Sequence, residues 1–350
     1  MQIDNNEGFG ADWNVSNETD YGLAKVIDTY YADLLWIYFS PCVILLGMIS
    51  STLSISVLLR RTMRRSTTMF YLTVLSFGDI LVVNTGLLRR WIRYAFETDI
   101  RTFGPLNCKI HVFMTYFSLE FTAWILVAVT IDRCISVKLP LRAVYYCTMR
   151  RSRFVVVLVT FLLIMLNGHL LFTTDFQDGI CQFNSFSMIA WPFMDFALYC
   201  FFPFSIMLIC NVIIIRTIIK SFKRFATIKE KTSPNNLTNE ANSRRQRNRN
   251  SNMTAMLLSV NISFLVCTLP VSVYYICESF FIDADPSLMN LLETISSLLM
   301  YMNNAISFFL YCLSGTKFRR ELFKMFKRTT KEKTRARNYS IESISSIVDS

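Results

Sequence analysis

The stretch CKIHVFMTYFSLEFTAWILVAVTIDRCISVKLPL, residues 108–141, decides the fold. From Ile110 to Ile131 it is apolar apart from Glu120, and it then ends on an acid and a base side by side, Asp132 and Arg133. A helix needs roughly 20 apolar residues to cross a bilayer, so this run reads as one crossing whose charged end meets water. Six more runs of similar length occupy residues 34–59, 66–88 (interrupted by Asp79), 154–174, 196–215, 251–277 and 294–316. Lipid offers backbone amides no partner, so all seven are expected to be helices.

Composition agrees with lipid as the solvent. Of 350 residues, 53% are hydrophobic and 14% aromatic, with 10 Gly and 8 Pro, too apolar for an ordinary soluble domain. Residues 1–33 hold seven acids against one base, Lys25, and lack the apolar core of a secretory signal, so the first span is expected to insert the chain.

The basic residues set the orientation. Arg60, Arg61, Arg64 and Arg65 follow span one, Arg150, Arg151 and Arg153 precede span four, RRQRNRN fills residues 244–250, and the tail from 317 to 337 carries ten Lys or Arg. These ends are expected inside. The net charge of +11 is thereby a membrane-topology signal and not a nucleic-acid footprint. An acidic N-terminal tail outside, residues 1–33, agrees with glycosylation sequons at Asn14 and Asn17, whereas those at Asn236, Asn252, Asn261 and Asn338 fall inside or within spans. Residues 225–252 and 329–350 are polar and lack apolar periodicity, and read as a disordered inner loop and tail.

Cys108 and Cys181 both lie outside, where an oxidising compartment lets them pair. Such a bridge would close a loop of about 70 residues and contribute roughly 4 kcal/mol on a chain-entropy estimate.

Carboxylates inside a membrane cost about 2.5–3.5 kcal/mol each and therefore need a partner or a purpose. Around Asp79 the sequence offers Ser118, Thr122, Asn303, Asn304 and Ser307, a polar cluster able to coordinate a small cation such as sodium or simply to satisfy its own hydrogen bonds. At the inner end of span three, the Asp132–Arg133 pair can face water yet stay within the bundle, which suits a switch.

These residues resemble the rhodopsin-like G protein-coupled receptors over about 34–328. DRC at 132–134 with Pro140-Leu141 beyond it, LSFGD at 75–79, Cys108, Pro203, CTLP at 267–270 with Phe264 before it, and SFFLYCLSGTKF at 307–318 follow the family's motifs in order and spacing. The resemblance implies an all-α seven-helix bundle over 34–316, the Cys108–Cys181 bridge and a short amphipathic eighth helix over 317–328. It implies a switch at Asp132, Arg133 and Tyr311, and a span-six hinge at Phe264, Thr268 and Pro270. No catalysis is implied; the partners would be a heterotrimeric G protein and, through Thr329, Thr330, Ser340, Ser343, Ser345 and Ser346, receptor kinases and arrestin. The chain departs from the pattern at Ser51, Asn211, Thr268, Ser307 and Phe308, span four lacks a Trp, and Arg249 and Asn250 stand where span six would supply an acid for Arg133. These departures look most like invertebrate FMRFamide-type neuropeptide receptors.

The resemblance also narrows the ligand. Thr115 occupies the place where amine receptors carry an Asp, and no Lys lies between Asp285 and Gly315 to hold a retinal. Charges of both signs at the outer ends, with Tyr116, Tyr274 and Tyr275, favour a peptide, with a small non-amine ligand as the alternative. Arg89, Arg90 and Arg93 would receive its acidic or acceptor groups, and Glu120 or Glu278 a basic side chain. A plainer reading has the arginines reaching lipid headgroups and Glu120 bonded to His169. A transporter would want broken helices in matching halves, and a membrane enzyme more than the two histidines, His111 and His169.

Overall fold

The computed structural model describes residues 27–229, 237–278, 285–325 and 327; within these, the side chains of 185–189, 222–229, 237–253 and 314 lie outside the description. The expected sequons at Asn14 and Asn17 and the tail hydroxyls from Thr329 onward also lie outside it. Seven helices are long and apolar enough to span a membrane: Ile27–Leu58, Thr67–Phe96, Pro105–Lys138, Met149–Thr173, Ala190–Ser221, Thr254–Glu278 and Pro286–Leu313. We call them spans one to seven.

All but span six, as bounded here, are longer than their charge-free runs because polar turns continue the helix past the hydrocarbon. Side-chain caps fix two starts: Thr148 accepts from the Arg151 amide at span four, and Asp285 from the Ser287 amide at span seven, where Pro286 supplies the preset φ of a first turn. Residues 225–229 and 237–252, expected to be disordered, are instead helical continuations of spans five and six. Pro234 is the sole Pro, and Gly is absent, between 225 and 252, so nothing in 237–252 breaks a helix.

Span three is the central post. Its residues from Phe117 to Ala123 are all buried, nearly two turns without a solvent or lipid face. Span four is its opposite: over Met149–Asn167 only Ser152, Leu163 and Asn167 are buried, while Phe154, Val157, Phe161 and Met165 are exposed on the outer face. Small residues permit the closest approaches. A Cβ on Gly86 would sit 2.5 Å from the Tyr301 hydroxyl, and one on Gly78 would sit 2.7 Å from a Thr122 methyl.

Two prolines explain two inter-helix bonds. Pro41 has no N–H for the Ile37 carbonyl four residues earlier, and the indole of Trp91 on span two donates to that oxygen at 3.2 Å. In span five the wide turn Phe196–Phe201 would direct the Leu198 carbonyl at residue 203, which is Pro; Trp124 of span three donates to it instead at 3.0 Å.

Between spans four and five, strands Thr174–Gln177 (β1) and Ile180–Phe183 (β2) form an antiparallel hairpin with Phe176 opposite Cys181. Its tip, Asp178-Gly179, has both residues at positive φ, the requirement of a two-residue turn of this hand. The disulfide Cys108–Cys181 ties the hairpin to span three, with a Cα–Cα separation of 5.7 Å. After span seven, residues 316–325 are helical. Phe318 and Glu321 are buried and Leu322 and Met325 pack on the core, while Arg319, Arg320 and Phe323 are exposed, the one-sided pattern expected of the eighth helix.

Candidate functional site

At the disulfide end, spans two, three, five, six and seven enclose a cavity of about 260 Å³. Five of the eight residues expected to form a ligand pocket line it: Arg89, Arg90, Thr115, Tyr116 and Tyr275. Glu120, Tyr274 and Glu278 do not. Glu120 is fully buried behind the wall and accepts from Asn167 Nδ2 at 2.6 Å, not from His169, whose Nδ1 lies 2.7 Å from the Leu166 carbonyl. Helical spacing puts Asn167 on the inward side of span four and His169 off it.

The arginines are paired within the protein. Arg90 meets Glu293 Oε1 at 2.6 Å and the Tyr275 hydroxyl at 3.1 Å, and its guanidinium lies over Trp36 at 5.1 Å. Tyr275 and Ser297 each donate to the same Glu293 oxygen at 3.0 Å. Spans one, two, six and seven thus meet on one ion pair. Arg89 meets Asp99 at 2.7 Å, and Arg101 meets the same carboxylate at 3.1 Å. Burial pushes the Asp99 carboxyl up, but the Arg101 backbone N–H and the two guanidiniums outweigh it and hold it at about 2. Among the described residues Arg93 forms no ion pair, and it lines the cavity. Thr115 donates to the His111 carbonyl at 2.8 Å.

Three acids at this end escaped the sequence reading: Asp99, Glu293 and Asp195. Asp195 lines the cavity, and its Oδ1 is buried with no hydrogen-bond partner among the described residues.

Deeper in the bundle the expected polar cluster is only partly assembled. Asp79 is buried beside Ser307, and its Oδ2 has no hydrogen-bond partner among the described residues. Ser307 donates to the Asn303 carbonyl at 3.2 Å, and Asn303 accepts from Ser263 of span six at 3.2 Å. Ser118 faces the outer group instead, 3.1 Å from Thr85, while Thr122 donates to the Leu119 carbonyl and Asn304 to the Met300 carbonyl. The orphan Asp79 oxygen with the Ser307 hydroxyl is a donor set that suits a hard monovalent cation.

At the opposite end, Arg133 donates to Asp132 Oδ2 at 3.1 Å, and that oxygen also accepts from Thr67 at 3.0 Å and Thr68 at 3.4 Å on span two. Asn261 of span six hydrogen-bonds Thr130 of span three at 3.2 Å and donates to Asn211 of span five at 3.3 Å. The departure at Asn211 is thereby half of an amide pair joining three helices, one turn from Arg133. In the hinge region Phe264 packs edge-on against Tyr199 at 5.8 Å, Thr268 donates back to the Phe264 carbonyl at 2.7 Å, and Pro270 leaves the Val266 carbonyl without its helical donor. Tyr311 is fully buried, with its ring 5.8 Å from Phe318.

Seven spans around a buried central helix, a hairpin tied over a polar cavity, and an acid–base pair at the far end define a seven-helix membrane bundle with one pocketed end. The model of the rhodopsin family of seven-transmembrane receptors matches residues 51–311, and the chain belongs to that family. Its relatives include the thyrotropin-releasing hormone receptors of Gallus gallus, 22% identical, and Homo sapiens, 24% identical, and G-protein coupled receptor 54 of Oreochromis niloticus, 22% identical; each alignment covers 85% of this chain and 79% of the relative.

Proposed function

We propose that the chain is a plasma-membrane receptor for an extracellular peptide that activates heterotrimeric G proteins. The observation that carries this is the cavity itself, with an open cation, Arg93, and an orphan acid, Asp195, among tyrosines. Its volume of about 260 Å³ lies below the roughly 300–1,000 Å³ of sites that enclose a drug-sized ligand. It suits one or two side chains, with the rest of the ligand lying across the hairpin. The arginines after span one and before span four support an orientation with the Asp132–Arg133 end in the cytoplasm and the disulfide end outside.

In this reading an agonist prefers the active arrangement and shifts a standing equilibrium toward it. Pro270 weakens span six where its inner half can swing away from span five. Parting Asn261 from Asn211 and Thr130 opens a cleft in which Arg133 can exchange Asp132 for a G protein's backbone. A sodium ion at Asp79 and Ser307 would favour the closed arrangement. The test is a screen of amidated peptides on cells expressing the full chain, read by calcium and cyclic AMP. A peptide giving a saturable response that Arg133→Ala abolishes is the expected result; no response to any peptide, in cells where purified G protein exchange is also unaffected, rejects the reading.

A further inference from the structure

We propose that Asp195, with Glu120 behind it, forms a subsite for a cationic ligand group, a guanidinium or a primary ammonium. The proposal rests on the ligand-activated receptor reading and adds to it the chemistry of one end of the ligand. Asp195 faces the cavity at the start of span five, and its Oδ1 is buried without a hydrogen-bond partner. Glu120 on span three is fully buried; Asn167 satisfies its Oε2, and its Oε1 has no partner either. The two carboxyls lie within electrostatic reach of one another. Buried acids so placed normally answer a cation or one another's proton.

Among the described residues no cation of the protein answers them. Among the described residues neither acid is in an ion pair, since Arg89 and Arg101 sit on Asp99, and Arg90 on Glu293. In sequence, residues 185–189 and 279–284 contain no Lys, Arg or His, and residues 1–26 contain only Lys25. The surrounding surface suits a flat cation: Tyr116 and Tyr199 line the cavity, and Trp191 stands edge-on to Tyr116 at 5.0 Å. Arginines on the span-two wall and a lone acid on the span-five wall also orient the ligand, with its cation toward span five and its acceptors toward Arg93.

Thermal unfolding of the purified full chain tests this with small probes, each Nα-acetylated so that the side chain carries the only possible charge: argininamide, lysinamide, and citrullinamide as the uncharged twin of the first. A bound probe raises the midpoint in proportion to the logarithm of its saturation. Argininamide or lysinamide, at millimolar concentration, is expected to raise the midpoint of the wild type where citrullinamide does not; which of the two acts identifies the cation. Asp195→Asn is expected to abolish that shift, weakening the probe roughly 30-fold or more, without lowering the ligand-free midpoint, because it removes an uncompensated charge. Glu120→Gln is expected to weaken the shift in the same direction. Equal shifts from citrullinamide, an unchanged shift in Asp195→Asn, or a ligand-free Asp195→Asn that unfolds well below wild type would each overturn the subsite. The wild-type comparison needs no variant to fold. Peptides that activate fully without any basic group would also overturn it while leaving the receptor reading intact; a peptide screen that fails beside a clear argininamide shift would do the reverse.

Discussion

Replacing Asn261 by Ala should turn the receptor on without ligand. No acid stands at the start of span six, where Arg249 and Asn250 lie, and among the described residues the Asn261 amide bonds span six to spans three and five at this level, to Thr130 at 3.2 Å and Asn211 at 3.3 Å. An inter-helix hydrogen bond in a membrane contributes on average about 0.6 kcal/mol, so two contribute about 1.2 kcal/mol to the closed arrangement. That difference is about sevenfold in the closed-to-open ratio. Ligand-free nucleotide exchange on purified G protein, at equal receptor density, should therefore rise about sevenfold when the open state is rare. Thr130→Val removes one of the two bonds and should give about the square root of that increase, while adding it to Asn261→Ala should change little further. Basal exchange in Asn261→Ala equal to or below wild type would refute the reasoning, because the amide would then not be distinguishing the two arrangements.

Glu293→Gln leaves the Arg90 guanidinium, largely buried over Trp36, without its counter-ion. Allowing for its partial exposure, the loss should be about 2 kcal/mol, at the low end for a broken desolvated charge pair, seen as a lower unfolding midpoint that the double exchange Arg90→Glu with Glu293→Arg partly restores. Asp99 predicts a pH dependence: its carboxyl is held at about 2, below the ordinary value of about 3.9, so its contribution is fully present above pH about 4 and is lost as pH falls through 2. Acid titration of the unfolding midpoint should show a fall in that window that Asp99→Asn flattens; an identical profile in the variant would remove Asp99 from the account.

The spans were legible because lipid imposes a length and a composition that few other environments impose. The outer bridge and the Asp132–Arg133 pair were legible for the same reason, as groups placed at ends whose environment is known. Five residues of the cavity wall were legible too, but the acids at that end were not, and the cause is specific. Reading charge-free runs begins span five at Phe196 and span seven at Thr294, one residue after Asp195 and one after Glu293, so the acid that lines the cavity and the acid that pairs with Arg90 fell just outside the window. The rule that made Asp79 and Glu120 conspicuous, that a carboxylate within a helix at membrane depth needs a partner, applies equally to both. Extending each run by one or two turns before asking that question would have found them. Pairings across helices, such as Arg90 with Glu293 or Asn211 with Asn261, depend on rotation about the helix axis, and a single sequence carries no such phase between spans.

The weakness of the inner latch constrains where activation energy must arise. Moving a two-state receptor from 1:99 to 99:1 requires about 5.5 kcal/mol of differential binding. The Asn261 bonds account for about 1.2 kcal/mol of what holds the inner half closed, and among the described residues no span-six carboxylate adds to it. A ligand must therefore obtain most of its preference at the disulfide end, from groups that change partner when it binds. Arg90 and Glu293 already satisfy one another, and so do Arg89 and Asp99, which makes them poor sources of such a preference. Asp195 and Glu120 each carry an oxygen with no partner in this arrangement. Span five carries both Asp195 and, within one turn, Tyr199, whose ring lies on Phe264 of span six. A cation drawn onto Asp195 thus acts on the helix that already touches the hinge, and the most under-satisfied groups in the outer half are the ones best placed to move the inner half.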